Sequence, residues 1–126
     1  MRRTKMREQI EQLTRSAGDD APDDFCTAWV ASAAVGAPLL FVQRRRHLVI
    51  RAGDEVLVAK RRRRNDLERE DVVARIPLEA SSLRRTRHLG LLRQVVLAAP
   101  EAGAVYALEF GLGARRFADE LTSALR

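Results

Sequence analysis

Cysteine is nearly absent from this sequence, with Cys26 alone among 126 residues. That excludes a disulfide framework and any cysteine-based metal site, and a reducing, cytoplasmic setting is expected. Aromatic residues make up only 5% of the chain, with one Trp and one Tyr, and none interleaves the basic clusters described below. A stacking platform for single strands, or the paired aromatics of a sheet-surface RNA reader, is therefore not expected. Lysine is scarce too, being confined to Lys5 and Lys60. The remaining basic residues are arginines, whose planar fork suits bidentate phosphate contacts, although a GC-rich genome produces the same bias. No H-E-x-x-H, C-x-x-C or G-x-S-x-G occurs, and neither His47 nor His88 has a ligand set beside it in the sequence. No catalytic residue, metal or cofactor is expected, and the chain reads as a non-enzyme.

What is present is charge, unevenly placed. The formal net charge is +6, and residues 43–64 alone carry nine basic and two acidic groups. The excess sits in two clusters, Arg44-Arg45-Arg46 and Lys60-Arg61-Arg62-Arg63-Arg64. Between them, 47–51 and 55–59 are rich in β-branched residues and are separated by Gly53-Asp54, glycine first as a type II′ turn prefers. A two-residue turn there sets Ala52 opposite Glu55, Ile50 opposite Leu57, Leu48 opposite Ala59 and Arg46 opposite Arg61. Like charges facing each other on paired strands are destabilising. An external anion, solvent, or the acids Asp66, Glu68, Glu70 and Asp71 must therefore offset them. A solvated face partly neutralised by those acids is the plain reading, and an anion site the functional one. Arg84, Arg85 and Arg87 beside His88 form a second basic segment, read as a strand end and loop. Were it at the same end as the first clusters, the two would form a phosphate cradle.

A hydrophobic content of 46% and this length fit one globular core. The N-terminal residues begin Met-Arg-Arg-Thr-Lys and lack the apolar stretch of a signal peptide, so secretion is not expected. Residues 3–16 carry Met6, Ile10 and Leu13 at helical spacing, and 1–21 reads as a helix and linker ahead of a single α+β domain at 22–126. Pro22 followed by Asp23 and Asp24 resembles a helix start, with Phe25, Cys26, Trp29, Val30 and Ala33 at helical spacing after it. Helix is expected over 22–34, with strand as the rival. Met6, Ile10, Leu13, Phe25 and Trp29 are also candidates for a self-association interface. The uncharged run 25–43, acidic before and basic after, has the flanks of a membrane span, but its strongly apolar residues total only roughly −3 kcal/mol of insertion energy against several polar and helix-breaking positions.

From residue 39 the pattern turns to strands, at 39–43, in the basic hairpin, at 73–80 with Ala74, Ile76, Leu78 and Ala80 on one face, at 91–98 and at 105–110. Gly111-Leu112-Gly113 reads as a tight strand-to-helix turn, because no strand follows to complete a βαβ unit. Residues 114–126 read as an amphipathic helix with Phe117, Leu121, Ala124 and Leu125 on its core stripe. The fold class expected is α+β, a curled antiparallel sheet or partly open barrel of six to seven strands closed by a C-terminal helix, with one or two N-terminal helices. The order from Leu39-Leu40-Phe41-Val42 through Val105-Tyr106-Ala107-Leu108-Glu109-Phe110 to Ala114-Arg115-Arg116-Phe117-Ala118-Asp119-Glu120-Leu121 resembles a small bacterial pleckstrin-homology-like domain. That resemblance implies seven strands, the seventh from 26–34, and a closing helix that usually carries a tryptophan, which this one lacks.

The functional expectation is a binding or adaptor module docking its basic hairpin on anionic lipid, at the inner membrane face, or on an acidic protein. A nucleic-acid-binding accessory protein using phosphate contacts is the alternative, and a homo-oligomeric scaffold a third.

Overall fold

A computed structural model of the chain describes residues 3–16, 22–34, 45–60, 71–79, 83–89, 91–99 and 103–125. Helix α1 (Arg3–Ser16) precedes seven strands: β1 (Pro22–Ala34), β2 (Arg45–Ala52), β3 (Glu55–Lys60), β4 (Val72–Pro77), β5 (Leu83–Leu89), β6 (Leu92–Ala99) and β7 (Ala104–Phe110). A 3₁₀ turn at Leu112–Ala114 leads into helix α2 (Arg115–Ala124). The strands form one antiparallel sheet in the order β4-β3-β2-β1-β7-β6-β5, curled into a half-barrel.

The β2–β3 hairpin has the register that its turn dictates, with Ala52 opposite Glu55, Ile50 opposite Leu57, Leu48 opposite Ala59 and His47 opposite Lys60. Gly53 has φ 60° while no described residue other than glycine has positive φ, which fits type II′ and excludes type I′. The Arg46–Arg61 pairing lies outside the described residues, as does the strand expected at 39–43.

Helix was expected over 22–34, and the residues form β1 instead. Phe25 faces one side of the sheet, and Ala28 and Val30 the other, so apolar residues occupy both faces and imitate a helical stripe. Pairing with β2 on one side and β7 on the other makes β1 the central strand, and that overrides the helix preference of its alanines. The membrane-span reading goes with the helix: no helix among the described residues is long and apolar enough to cross a membrane. Residues 83–89, read as a strand end and loop, are strand throughout.

The main core lies inside the curl, where Val30, Val49, Val56, Val58, Ile76, Leu97, Leu108 and Phe110 meet Phe117, Ala118 and Leu121 of α2 and Leu125 just after it. Ala124, expected on the α2 core stripe, is exposed. A second cluster on the outer face packs Ile10 and Leu13 of α1 against Phe25, Leu48, Ile50, Ala52, Leu57 and Ala59. Hence β3 is buried on both faces from Val56 to Ala59, as its unbroken Val-Leu-Val-Ala run requires. Ile10 and Leu13, named above as self-association candidates, are 0% and 1% exposed within a single chain.

Helix α2 closes one end of the half-barrel. Phe117 packs on Phe110 with ring centroids 5.6 Å apart. Asp119 pairs with Arg93 of β6, and Glu120 lies 3.8 Å from Arg51 of β2 and 3.1 Å from Arg116. Before it, Ala114 N–H donates to the Gly111 carbonyl at 3.0 Å, the tight turn expected of Gly-Leu-Gly.

Candidate functional site

At the end away from α2, the inner face of the sheet forms a pocket of about 320 Å³, lined by Val30 and Ser32 of β1, Arg45 and His47 of β2, Val73 of β4 and Tyr106 of β7. Alternation along β2 makes this possible, because Arg45, His47 and Val49 share the inner face while Arg46, Leu48 and Ile50 share the outer one. Arg45 and His47 are thus on the pocket wall, and Arg46 is on the other side of it. His47 Nδ1 lies 3.0 Å from the Arg45 carbonyl. A carbonyl only accepts, so Nδ1 is the donor in that contact, which orients the ring on the pocket wall. Lys60 stands opposite His47 at the end of β3 and is exposed, adding a second cation at this end. The pocket thus combines an arginine, an imidazole and two hydroxyls, Ser32 and Tyr106, with the apolar side chains of Val30 and Val73. The guanidinium and the two hydroxyls can donate to an anion; among the described residues no set of three or more His, Cys, Asp or Glu could hold a metal ion.

On the outer side, Arg46 is fixed flat against the wall. Its guanidinium donates to Thr27 Oγ1 at 2.9 Å and stacks over Trp29, 5.6 Å from the ring centroid. Trp29, the register partner of Arg46, is 42% exposed.

The other candidate residues are distributed as follows. Arg44 and Arg61 to Arg64 lie outside the described residues, as do the acids Asp66, Glu68 and Glu70, while Asp71 is buried. Arg84, Arg85 and Arg87 are on β5. The register rows Arg45–Val30–Leu108–Val95–Thr86 and Arg46–Trp29–Glu109–Gln94–Arg87 run straight across the sheet. The β5 arginines are thus level with Arg45 and Arg46 but four strand steps away, roughly 19 Å along the sheet at about 4.8 Å per step. Of the residues singled out by charge, Arg45 lines this pocket, Lys60 pairs with His47 beside it and Arg46 lies on the opposite face, whereas nothing in the sequence singled out Ser32, Val73 or Tyr106, which the curl of the sheet brings together.

No family model matches this sequence, and no curated protein matches it. Solved structures do. A structure of the Vav1 exchange factor, from work on the structural role of its PH and C1 domains, superposes with a TM-score of 0.59 at 18% identity. It covers 97% of this chain and 30% of that one. An activated truncation of Vav1 in its apo form gives 0.57 at 15% identity, covering 97% of this chain and 31% of that one. Vav1 held by an allosteric inhibitor gives 0.55 at 16% identity, with 97% and 21% covered. The fold is pleckstrin-homology-like. The seventh strand that this fold needs is β1, and α2 closes the half-barrel without the usual tryptophan. The chain spans less than a third of each Vav1 chain, so the likeness carries the fold and not the exchange activity.

Proposed function

We propose that this pleckstrin-homology-like chain is a non-enzymatic binding module that docks by its open end on an anionic membrane surface, a phosphate-bearing headgroup entering the pocket. The observation that carries this reading is the pairing of Arg45 and His47 on one wall of a concave pocket, with Lys60 beside it and the run 61–64 next in sequence. A pocket that seats one compact anion suits a headgroup. Duplex nucleic acid calls instead for a continuous basic stripe along which phosphates repeat, and the β5 arginines are too far round the sheet to extend one. Proximity to an anionic leaflet stabilises by about 1 kcal/mol per arginine or lysine.

Co-sedimentation with phosphatidylcholine vesicles, with and without phosphatidylserine, tests this. Binding is expected only with phosphatidylserine, weakening as salt rises, and Arg45→Ala reduces it about fivefold, near the 1 kcal/mol that one such charge contributes. Indifference to phosphatidylserine at low salt, with duplex DNA or an acidic peptide bound instead, would overturn it.

A further inference from the structure

Four large apolar side chains are exposed among the described residues: Trp29, Val73, Leu91 and Leu112. Leu112 begins the turn into α2 at the closed end, and Leu91 precedes β6. The other two bracket the basic rim. Val73, 42% exposed, lines the pocket on the inner side, and Trp29, also 42% exposed, lies on the outer side beneath Arg46. Consecutive residues Arg45 and Arg46 therefore point to opposite sides of one sheet wall, each next to an exposed apolar side chain. The hydrogen bond to Thr27 and the stacking on Trp29 orient Arg46 beside the indole, which reduces the side-chain entropy lost on contact with an anion.

Resting on the membrane-docking reading above, we propose that the outer wall at Trp29, Arg46 and Thr27 is a second contact with the anionic bilayer, separate from the pocket. Arg46 meets a second headgroup phosphate and the Trp29 ring enters the interfacial zone. The chemistry favours a bilayer over other anions. An indole beside a guanidinium matches a boundary where phosphates lie next to acyl chains, and tryptophan partitions to that zone. A polyanion without an apolar layer gives the ring nothing to enter. The two contacts lie at the same level of the wall, because Arg45 pairs with Val30 and Arg46 with Trp29. One tilted approach of the rim therefore brings both to the surface.

The chain holds a single tryptophan, so Trp29 reports on itself. With phosphatidylserine-containing vesicles, its emission is expected to shift to the blue, to become shielded from aqueous acrylamide and to be quenched by brominated lipid. Vesicles of phosphatidylcholine alone leave it unchanged. Trp29→Ala is expected to weaken sedimentation about tenfold, near 1.4 kcal/mol, while binding of soluble inositol hexakisphosphate stays at the wild-type level. Arg46→Glu, which leaves the indole in place, guards against misfolding of the first variant and is expected to weaken sedimentation at least as much. Sedimentation with an unchanged Trp29 spectrum would overturn the second contact and leave the pocket reading standing. Wild-type sedimentation by both variants would do the same. Absence of any binding to phosphatidylserine vesicles removes the pocket reading and this one with it. A blue shift on raising protein concentration without lipid would overturn the proposal in favour of a second copy of the chain covering Trp29.

Discussion

Gly53 and Phe110 show how unequally single residues weigh in this fold. Gly53 holds φ 60° at the first turn position, a conformation that costs an L-residue about 1–2 kcal/mol. Gly53→Ala is therefore expected to lower the unfolding free energy by that amount, read as a lower urea midpoint at unchanged m, while leaving the hairpin register intact, since Ala52–Glu55 and the pairs beyond it hold it from both strands. Phe110 is wholly buried and packs against Phe117, so it joins the sheet to the closing helix. Phe110→Ala leaves a cavity that neither neighbour fills and is expected to cost about 3–5 kcal/mol, a large part of the stability of a domain this size. Chemical denaturation of the two variants in parallel separates a turn effect from a core effect. Gly53 was legible from the glycine-first dipeptide between β-branched runs. Trp29 was legible only as a candidate for self-association on an expected helix, because nothing local places an indole on one face of a central strand.

At the scale of elements, α1 is the part most readily detached. It contributes Ile10 and Leu13 to the outer cluster, whereas β2 and β3 contribute Leu48, Ile50, Ala52, Leu57 and Ala59 and are held by ladders on both sides. Ile10→Ala is expected to remove about 2–5 kcal/mol of packing, enough to undock the helix before the sheet melts. Hydrogen exchange should then show lost protection over 3–16 with β2 and β3 still protected, and a dye that binds apolar surface should report the uncovered face of Phe25, Leu48, Ile50 and Leu57. Uniform loss of protection would mean that α1 and the sheet unfold as one unit. The elements read correctly in advance were those with a single unambiguous period. Ala74 and Ile76 are buried while Arg75 between them and Glu79 beyond are exposed, and the C-terminal helical segment carries a clear stripe of Phe117, Leu121 and Leu125. The elements misread were those where packing removes the period. β1 is apolar on both faces, and β5 carries so many arginines that its alternation disappears. Likewise the basic part of the candidate site was visible as charge, while its concave part exists only because β1, β2, β4 and β7 curl towards one another.

For the whole molecule, the decisive quantity is where the charge lies rather than its total. Net charge is +6, of which residues 61–64 supply four. Replacing Arg61, Arg62, Arg63 and Arg64 together by alanine leaves +2 and does not touch the pocket wall formed by Arg45 and His47. If these arginines work with the pocket against an anionic leaflet, each contributes about 1 kcal/mol, and affinity for phosphatidylserine vesicles falls by up to about three orders of magnitude. The dependence on ionic strength should flatten in parallel, because the charges removed are the ones that salt screens. Binding of a single small anion in the pocket should change far less, as Arg45 remains. Circular dichroism and thermal melting of the same variant establish that the fold persists. A variant that melts as the wild type does and binds vesicles with the same affinity and the same salt dependence shows the run to be solvated decoration, leaving the pocket and the Trp29 wall to account for docking.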